Sequence, residues 1–292
     1  MTTAFIFPGQ GAQRRGMGGE LFDEVQEYRE LECEVDAMLG YSLRELCLHG
    51  ADDRLNDTRF TQPSLYVVNA LHYLKAARDG TGPDYAAGHS LGEYNALFAA
   101  GVFELMTGLR IVKKRAELMA EAPAGGMAVV VGLQVARIEA ILREGGFERI
   151  DVANLNAPEQ TVISGPRADL ARASEPFQIG GARLYTPLPV SGAFHSRYMA
   201  GAVETFARFL AGMHLRPPQL PVISNVTSRP YPSDSQEIAA LLVRQLTLPV
   251  LWTQSIQYLL SRKVSEFREI GPGSILTRLV QQIRSRYERA VG

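Results

Sequence analysis

The chain has 292 residues, 46% hydrophobic and 21% charged, with a formal net charge of −1. That is enough apolar material for one large domain, or for one domain with a smaller insert, and it gives no global electrostatic case for nucleic-acid binding. No apolar run reaches membrane-spanning length, the chain runs directly into Ala4-Phe5-Ile6-Phe7, and Cys33 and Cys47 show neither metal-ligand nor disulfide-framework spacing, so the expectation is a soluble cytoplasmic protein with reduced thiols, no membrane association and no metal.

Residues 5–7 read as a buried strand ended by Pro8-Gly9-Gln10-Gly11, and a helical region follows over 19–39. Thr61-Gln62-Pro63 reads as a helix start, with Thr61 as cap and Pro63 near the first turn. Leu65, Val68, Leu71 and Leu74 give that helix one apolar stripe. A short strand at 85–87 leads into Gly88-His89-Ser90-Leu91-Gly92-Glu93 and then helices near 91–100 and 105–121. Strands alternating with helices predict an α/β core with a parallel sheet.

The texture changes at Ala122-Pro123-Ala124-Gly125-Gly126. Beyond it the pattern predicts a strand at 127–131, a helix at 135–143, strands at 150–153 and 161–164, a helix at 168–174 and a strand at 183–187. That β-α-β-β-α-β order is the order of a ferredoxin-like unit. The expected division is a small subdomain over 123–188, inserted into a large domain made of 1–122 and 189–292. The remaining chain predicts a strand at 222–224, helices near 235–246 and 253–261, a strand at 266–270 and a closing helix.

Small residues two before and two after Ser90 permit a tight strand-to-helix turn that lifts its hydroxyl into a cleft. The pattern GxSxG in this context marks an acyl-transfer nucleophile. The plainer alternative is a glycine-rich turn in which Ser90 and Glu93 form a capping box. A serine nucleophile needs a base. Of the five histidines, His49, His72 and His214 read as surface or packing residues. His89 adjoins Ser90, but neighbouring strand side chains point opposite ways, so it reads as structural or as a wall of the pocket. His195, in the small-residue turn Val190-Ser191-Gly192-Ala193-Phe194-His195-Ser196, is the best candidate base. The Leu91 N–H is a natural oxyanion donor, and the loop Pro8–Gln13 is the usual place for a second. Gly9-Gln10-Gly11 lacks the ending of a phosphate-binding loop.

Arg115 is surrounded at helical spacing by Ile111, Val112, Leu118 and Met119, which places it in a buried stripe. A buried guanidinium demands an anion. Two partners are open: an internal carboxylate, or the carboxylate of a substrate held bidentately.

Taken together, PGQGAQ (8–13), FTQP (60–63), GHSLGEY (88–94), KKRAELM (113–119), NLNAPEQTVISG (154–165), SGAFHS (191–196), RQL (244–246) and GPGSILT (271–277) resemble the malonyl-CoA:acyl carrier protein transacylase family over essentially the whole chain. The resemblance implies a hydrolase-like α/β core. It implies Ser90 as acylated nucleophile, His195 as base and Gln245 as the residue whose backbone carbonyl orients the imidazole. It further implies oxyanion donors at Gln10 and Leu91, a substrate-binding role for Arg115 on the malonyl carboxylate, and one for Phe194, beside His195, in malonyl preference; His89, as a wall of the pocket, is counted with these substrate-binding residues. The implied reaction transfers malonyl from malonyl-CoA to the phosphopantetheine thiol of an acyl carrier protein, with no cofactor. Phrases such as FTQPSLYVVNALHYL bring the chain nearest to discrete trans-acting acyltransferases of polyketide synthases. The alternatives are the fatty-acid-synthesis transacylase, an acyl-thioester hydrolase, against which the retained Arg115 argues, and a non-catalytic docking subunit. Arg278, Arg284, Arg286 and Arg289 on the closing helix read as a solvated face rather than as a carrier-protein contact.

Overall fold

The computed structural model describes residues 1–80 and 82–291, without the side chains of the last two. Eight strands form two sheets: β1 (Thr3–Phe7), β2 (Tyr85–Gly88), β3 (Gly126–Val131), β4 (Asp151–Ala157), β5 (Gln160–Gly165), β6 (Leu184–Pro187), β7 (Val222–Ile223) and β8 (Glu266–Glu269). The first sheet has the order β7-β2-β1-β8 and is parallel throughout. Both of its faces are covered, and the side-chain alternation of β1 shows it. Phe5 and Phe7 enter one apolar cluster, whereas Ala4 and Ile6 enter another with Trp252, Leu259 and Leu279. The second sheet has the order β4-β5-β3-β6 and is antiparallel. Ala128, Val130 and Ile163 on one of its faces pack on Ile138, Ile141 and Phe177 from its two helices, while Met127 and Val162 on the other face join the main core.

The chain enters and leaves this second sheet side by side, through a bridge between Ala124 and Gly192. β4 is also stitched to the C-terminal part, because Leu155 N–H donates to the Val250 carbonyl and Val250 N–H to the Ala153 carbonyl, each at 2.9 Å.

Several elements depart from the sequence expectation. The region 19–39 is two helices, Leu21–Glu24 and Gln26–Leu39, broken at Val25, whose ψ of 104° is extended. The helix expected from Thr61 starts earlier and spans Thr58–Arg78. Asp57 caps it by accepting from Arg59 N–H at 2.9 Å, and the Thr61 hydroxyl turns back to donate to the Leu55 and Asp57 carbonyls. Pro63 therefore lies inside the helix, where its missing N–H leaves only the Arg59 carbonyl without a helical donor. Residues 61–71 of this helix are buried on every side rather than along one stripe, because they run through the middle of the large core. Helix Ala200–Ala211 adds to the expected elements, and the spacing of its buried Ala202, Phe206 and Leu210 carries the signal. On the closing helix, Ile275–Val291, Arg278, Arg286 and Arg289 are exposed. Arg284 turns inward over the Phe267 ring and donates to the Ser265 carbonyl.

Two glycines set how closely the β2 turn can pack. A methyl at Gly88 would lie 1.9 Å from the Gly92 carbonyl carbon, and one at Gly92 would lie 2.0 Å from the Phe7 carbonyl oxygen. These neighbours are backbone and cannot swing aside. Gly92→Ala is therefore expected to lower stability by at least ~2 kcal/mol, read by denaturant unfolding. An unchanged midpoint would show that the turn has slack.

Candidate active site

Ser90 sits between β2 and helix Gly92–Ala99 with φ of 51°, a left-handed conformation that costs a non-glycine residue ~1–3 kcal/mol. Asn225 holds it there. Its Oδ1 accepts from Ser90 N–H at 2.7 Å, and its Nδ2 donates to the Gly88 carbonyl at 2.6 Å. No capping box forms. Ser90 N–H goes to Asn225, and the Glu93 carboxyl turns away toward Asn225, Tyr231 and Gln245.

His195 also has a positive φ, 54°, in the loop before the short 3-10 turn Arg197–Met199. Its Nε2 lies 2.7 Å from Ser90 Oγ and its Nδ1 lies 2.8 Å from the Gln245 backbone carbonyl. A carbonyl can only accept, so Nδ1 carries the proton and Nε2 faces the hydroxyl as an acceptor. Burial, followed by the nearby Arg115 charge, pushes the imidazole down to about 3, and the bond to Gln245 only partly opposes this. The ring is thus neutral across the physiological range and able to take the Ser90 proton.

Arg115, on helix Leu105–Glu121, is 1% exposed. It donates to Gln62 Oε1 at 2.6 Å, to Gln245 Oε1 at 3.0 Å and to Ser90 Oγ at 3.1 Å, and its guanidinium lies 5.4 Å from the centre of the Tyr94 ring. Every one of these partners is neutral, and among the described residues no carboxylate pairs with it. Of the two partners left open by the sequence, the internal salt bridge does not form. Lys113 on the same helix pairs instead with Glu117 at the surface, at 2.7 Å.

The remaining sequence candidates gather at the same place. Gln10, His89, Leu91 and Phe194 line one cavity with Ser90, Arg115 and His195. His89 Nε2 lies 2.7 Å from Asn156 Oδ1, and its ring meets Trp252 edge-on. The Gln10 side chain turns to Thr58, 3.3 Å away. The cavity holds about 80 Å³, far below the roughly 300–1,000 Å³ of sites for drug-sized ligands. That is room for a group of a few atoms beside Ser90. Among the described residues, no three His, Cys, Asp or Glu side chains gather as a metal site, and no helix is long and apolar enough to cross a membrane.

Sequence reasoning misses Asn225, Glu93 and the side chain of Gln245, whose positions become informative only when distant segments meet. It also misses Asn154, which lines the cavity with a buried Oδ1 that has no protein partner. The motif around Asn154 is visible in the sequence, but nothing local marks that atom as free.

The His195 shift has a stability consequence. Its folded value lies below the unfolded 6.5, so between about pH 6.5 and 3 the unfolded chain binds the extra proton. Unfolding free energy is expected to fall as pH is lowered through that window, and His195→Gln should flatten that slope. Equal slopes in the two proteins, from denaturant titrations at several pH values, would contradict a buried neutral ring.

The chain is similar to known proteins over nearly its whole length. The polyketide biosynthesis malonyl CoA-acyl carrier protein transacylase BaeC of Bacillus velezensis is 49% identical, over 97% of this chain and 97% of its own length. A crystal structure of a malonyl CoA-acyl carrier protein transacylase from Burkholderia pseudomallei superposes with a TM-score of 0.93 at 48% identity, covering 98% of this chain and 99% of that one. A holo complex of a type II polyketide synthase acyl-carrier protein with its malonyl-transacylase, PlMCAT:AntF, superposes with a TM-score of 0.92 at 34% identity, covering 98% and 94%. The mixed α/β architecture, one parallel and one antiparallel sheet, is that of these transacylase structures. The family model for the acyl transferase domain matches residues 4–290, and the chain belongs to that family.

Proposed function

We propose that the protein transfers a malonyl group from malonyl-CoA, through an ester on Ser90, to the phosphopantetheine thiol of an acyl carrier protein, acting in trans for a polyketide synthase. One observation carries the substrate assignment. Arg115 is a buried cation without a counter-charge, and it reaches to 3.1 Å from Ser90 Oγ. A thioester attacked by that oxygen and bearing a carboxylate one methylene away spans this short gap. A monoacyl group leaves the charge unpaired at a cost of a few kcal/mol. The small cavity supports the same class.

The chemistry follows from the hydrogen bonds. Ser90 Oγ attacks the thioester carbonyl carbon while His195 Nε2 takes its proton. The C–S bond breaks and coenzyme A leaves with the proton returned by the imidazolium, which the Gln245 carbonyl stabilises through Nδ1–H. The carrier-protein thiol then gives its proton to His195 and attacks the malonyl ester, releasing Ser90. The Gln10 and Leu91 N–H groups, at the cavity wall and the start of helix Gly92–Ala99, take the oxyanion role in both tetrahedral intermediates. Phe194, 4% exposed beside His195, crowds an α-methyl branch, and His89 serves as a fixed wall held by Asn156. Sulfur and oxygen exchange one acyl group with no redox step, so no cofactor is required.

In this reading the hydrolase-like core carries Ser90 and the segment 123–188 is a ferredoxin-like subdomain inserted into 1–122 and 189–292. The bridge at Ala124 and Gly192, together with the β4-β5-β3-β6 order, supports that division. The polyketide assignment is supported by the 49% identity to BaeC. The reaction places the enzyme in the cytoplasm, where its carrier protein would be.

Intact-mass analysis after incubation with malonyl-CoA is expected to show one malonyl adduct, absent in Ser90→Ala and discharged by a holo carrier protein faster than by water. Rapid discharge by water alone would instead indicate a hydrolase. Arg115→Ala is expected to lose malonyl loading by ~10²-fold or more while gaining acetyl loading. Unchanged malonyl preference in that variant would remove the substrate assignment. Transfer rates across polyketide and fatty-acid carrier proteins decide the pathway.

A further inference from the structure

Glu93 touches none of the reacting groups assigned above, yet its side chain is completely buried one turn after Ser90. Its two oxygens meet three donors. Oε1 accepts from Asn225 N–H at 2.7 Å and from the Tyr231 hydroxyl at 2.9 Å, and Oε2 accepts a short bond from Gln245 Nε2. Gln245 Nε2 also donates to the Ser90 backbone carbonyl at 2.9 Å. Both N–H bonds of that amide are therefore committed to acceptors. Its remaining polar atom, Oε1, can only face Arg115, which it does at 3.0 Å. The opposite orientation would set an amide oxygen against a carboxylate and a carbonyl, and an amide NH₂ against a guanidinium.

We propose that Glu93 is a positioning residue for substrate selection: it locks the Gln245 side-chain amide between itself and Arg115, so that the guanidinium is held toward Ser90 by a neutral dipole and stays unpaired for an incoming carboxylate. Glu93 and Arg115 face each other only across the intervening amide. Direct contact between them would give an internal ion pair and close the anion site. Burial raises the Glu93 carboxyl to about 7, against the pull of its donors and of Arg115. Tyr94 and Tyr231 are the other titratable side chains beside it. Asn225 extends the same lock to the turn, since its backbone N–H binds Glu93 while its side chain holds Ser90.

This inference rests on the malonyl-transfer reading, and one experiment separates the two. Wild type, Glu93→Gln and the exchange variant Glu93→Gln/Gln245→Glu are incubated with equimolar malonyl-CoA and acetyl-CoA, and the two Ser90 adducts are counted by intact mass. Glu93→Gln puts an amide N–H against Gln245 Nε2 and drives that amide to turn over. The exchange variant restores the donor–acceptor match between the two side chains, removes the amide donor to the Ser90 carbonyl, and places a carboxylate directly on Arg115. Both are expected to lower the malonyl-to-acetyl ratio by roughly tenfold or more, the exchange variant while remaining folded. An unchanged ratio in the exchange variant, or an equal loss of both adducts, would overturn the proposal, because a merely structural glutamate affects the two substrates alike. No malonyl adduct on the wild type in the same run would instead remove the parent reading.

Discussion

A guanidinium enclosed by neutral atoms is the constraint on which the rest of this site depends. Arg115 keeps its proton at any accessible pH, so taking it out of water costs several kcal/mol unless an anion or well-aimed dipoles replace the lost hydration. Gln62, Gln245 and the Ser90 hydroxyl supply the dipoles and none supplies a charge. In the proposed reaction this unpaired charge receives the substrate carboxylate beside the serine. The same positive charge disfavours protonation of His195, which keeps the imidazole in the form that can accept a proton. Selectivity and the neutral resting state of the imidazole in the proposed reaction thus share one physical origin.

The parallel sheet explains how these groups come within reach of one another. Loops at the carboxyl ends of adjacent parallel strands converge on one crevice. The loop after β1 and the turn after β2 are such neighbours, because β1 and β2 pair in register from Ala4–Tyr85 to Phe7–Gly88. Gly9, Gly88 and Gly92 let those two turns touch at backbone distance. Ser90 and His195, both held at positive φ, take conformations that an unconstrained chain would avoid. Asn225 at one and the Gln245 carbonyl at the other over-determine them. Strain at reacting residues is sustained only where neighbours leave no relaxed alternative, and here those neighbours come from the C-terminal part of the chain.

The antiparallel sheet contributes the opposite wall of the cavity. Met127 and Asn154 from its strands, and Leu188, Val190 and Phe194 from the segment that returns from it, face the serine. The resulting volume is small. Asn156 on the same sheet fixes the His89 ring, which separates the serine from Trp252 and the second apolar cluster.

The sequence by itself determined what is local. The strand before Ser90 and the helix after it, the glycine spacing of the turn, the burial of Arg115 among Ile111, Val112, Leu118 and Met119, and the succession of strands over 126–187 are all legible, because residue type and periodicity encode them at short range. Local signals were weaker at boundaries, as at Asp57, where a cap four residues upstream outcompetes Thr61. The tertiary structure alone decided the partners. The bonds from Ser90 to His195, Asn225 and Gln245 span 105, 135 and 155 residues, and no local pattern reports which way a buried amide or carboxyl turns when such distant segments meet. That Arg115 has only neutral neighbours, and that Glu93 faces it across an amide rather than directly, follows from three-dimensional packing, since the energy of a buried charge depends on everything around it and not on its place in a helix.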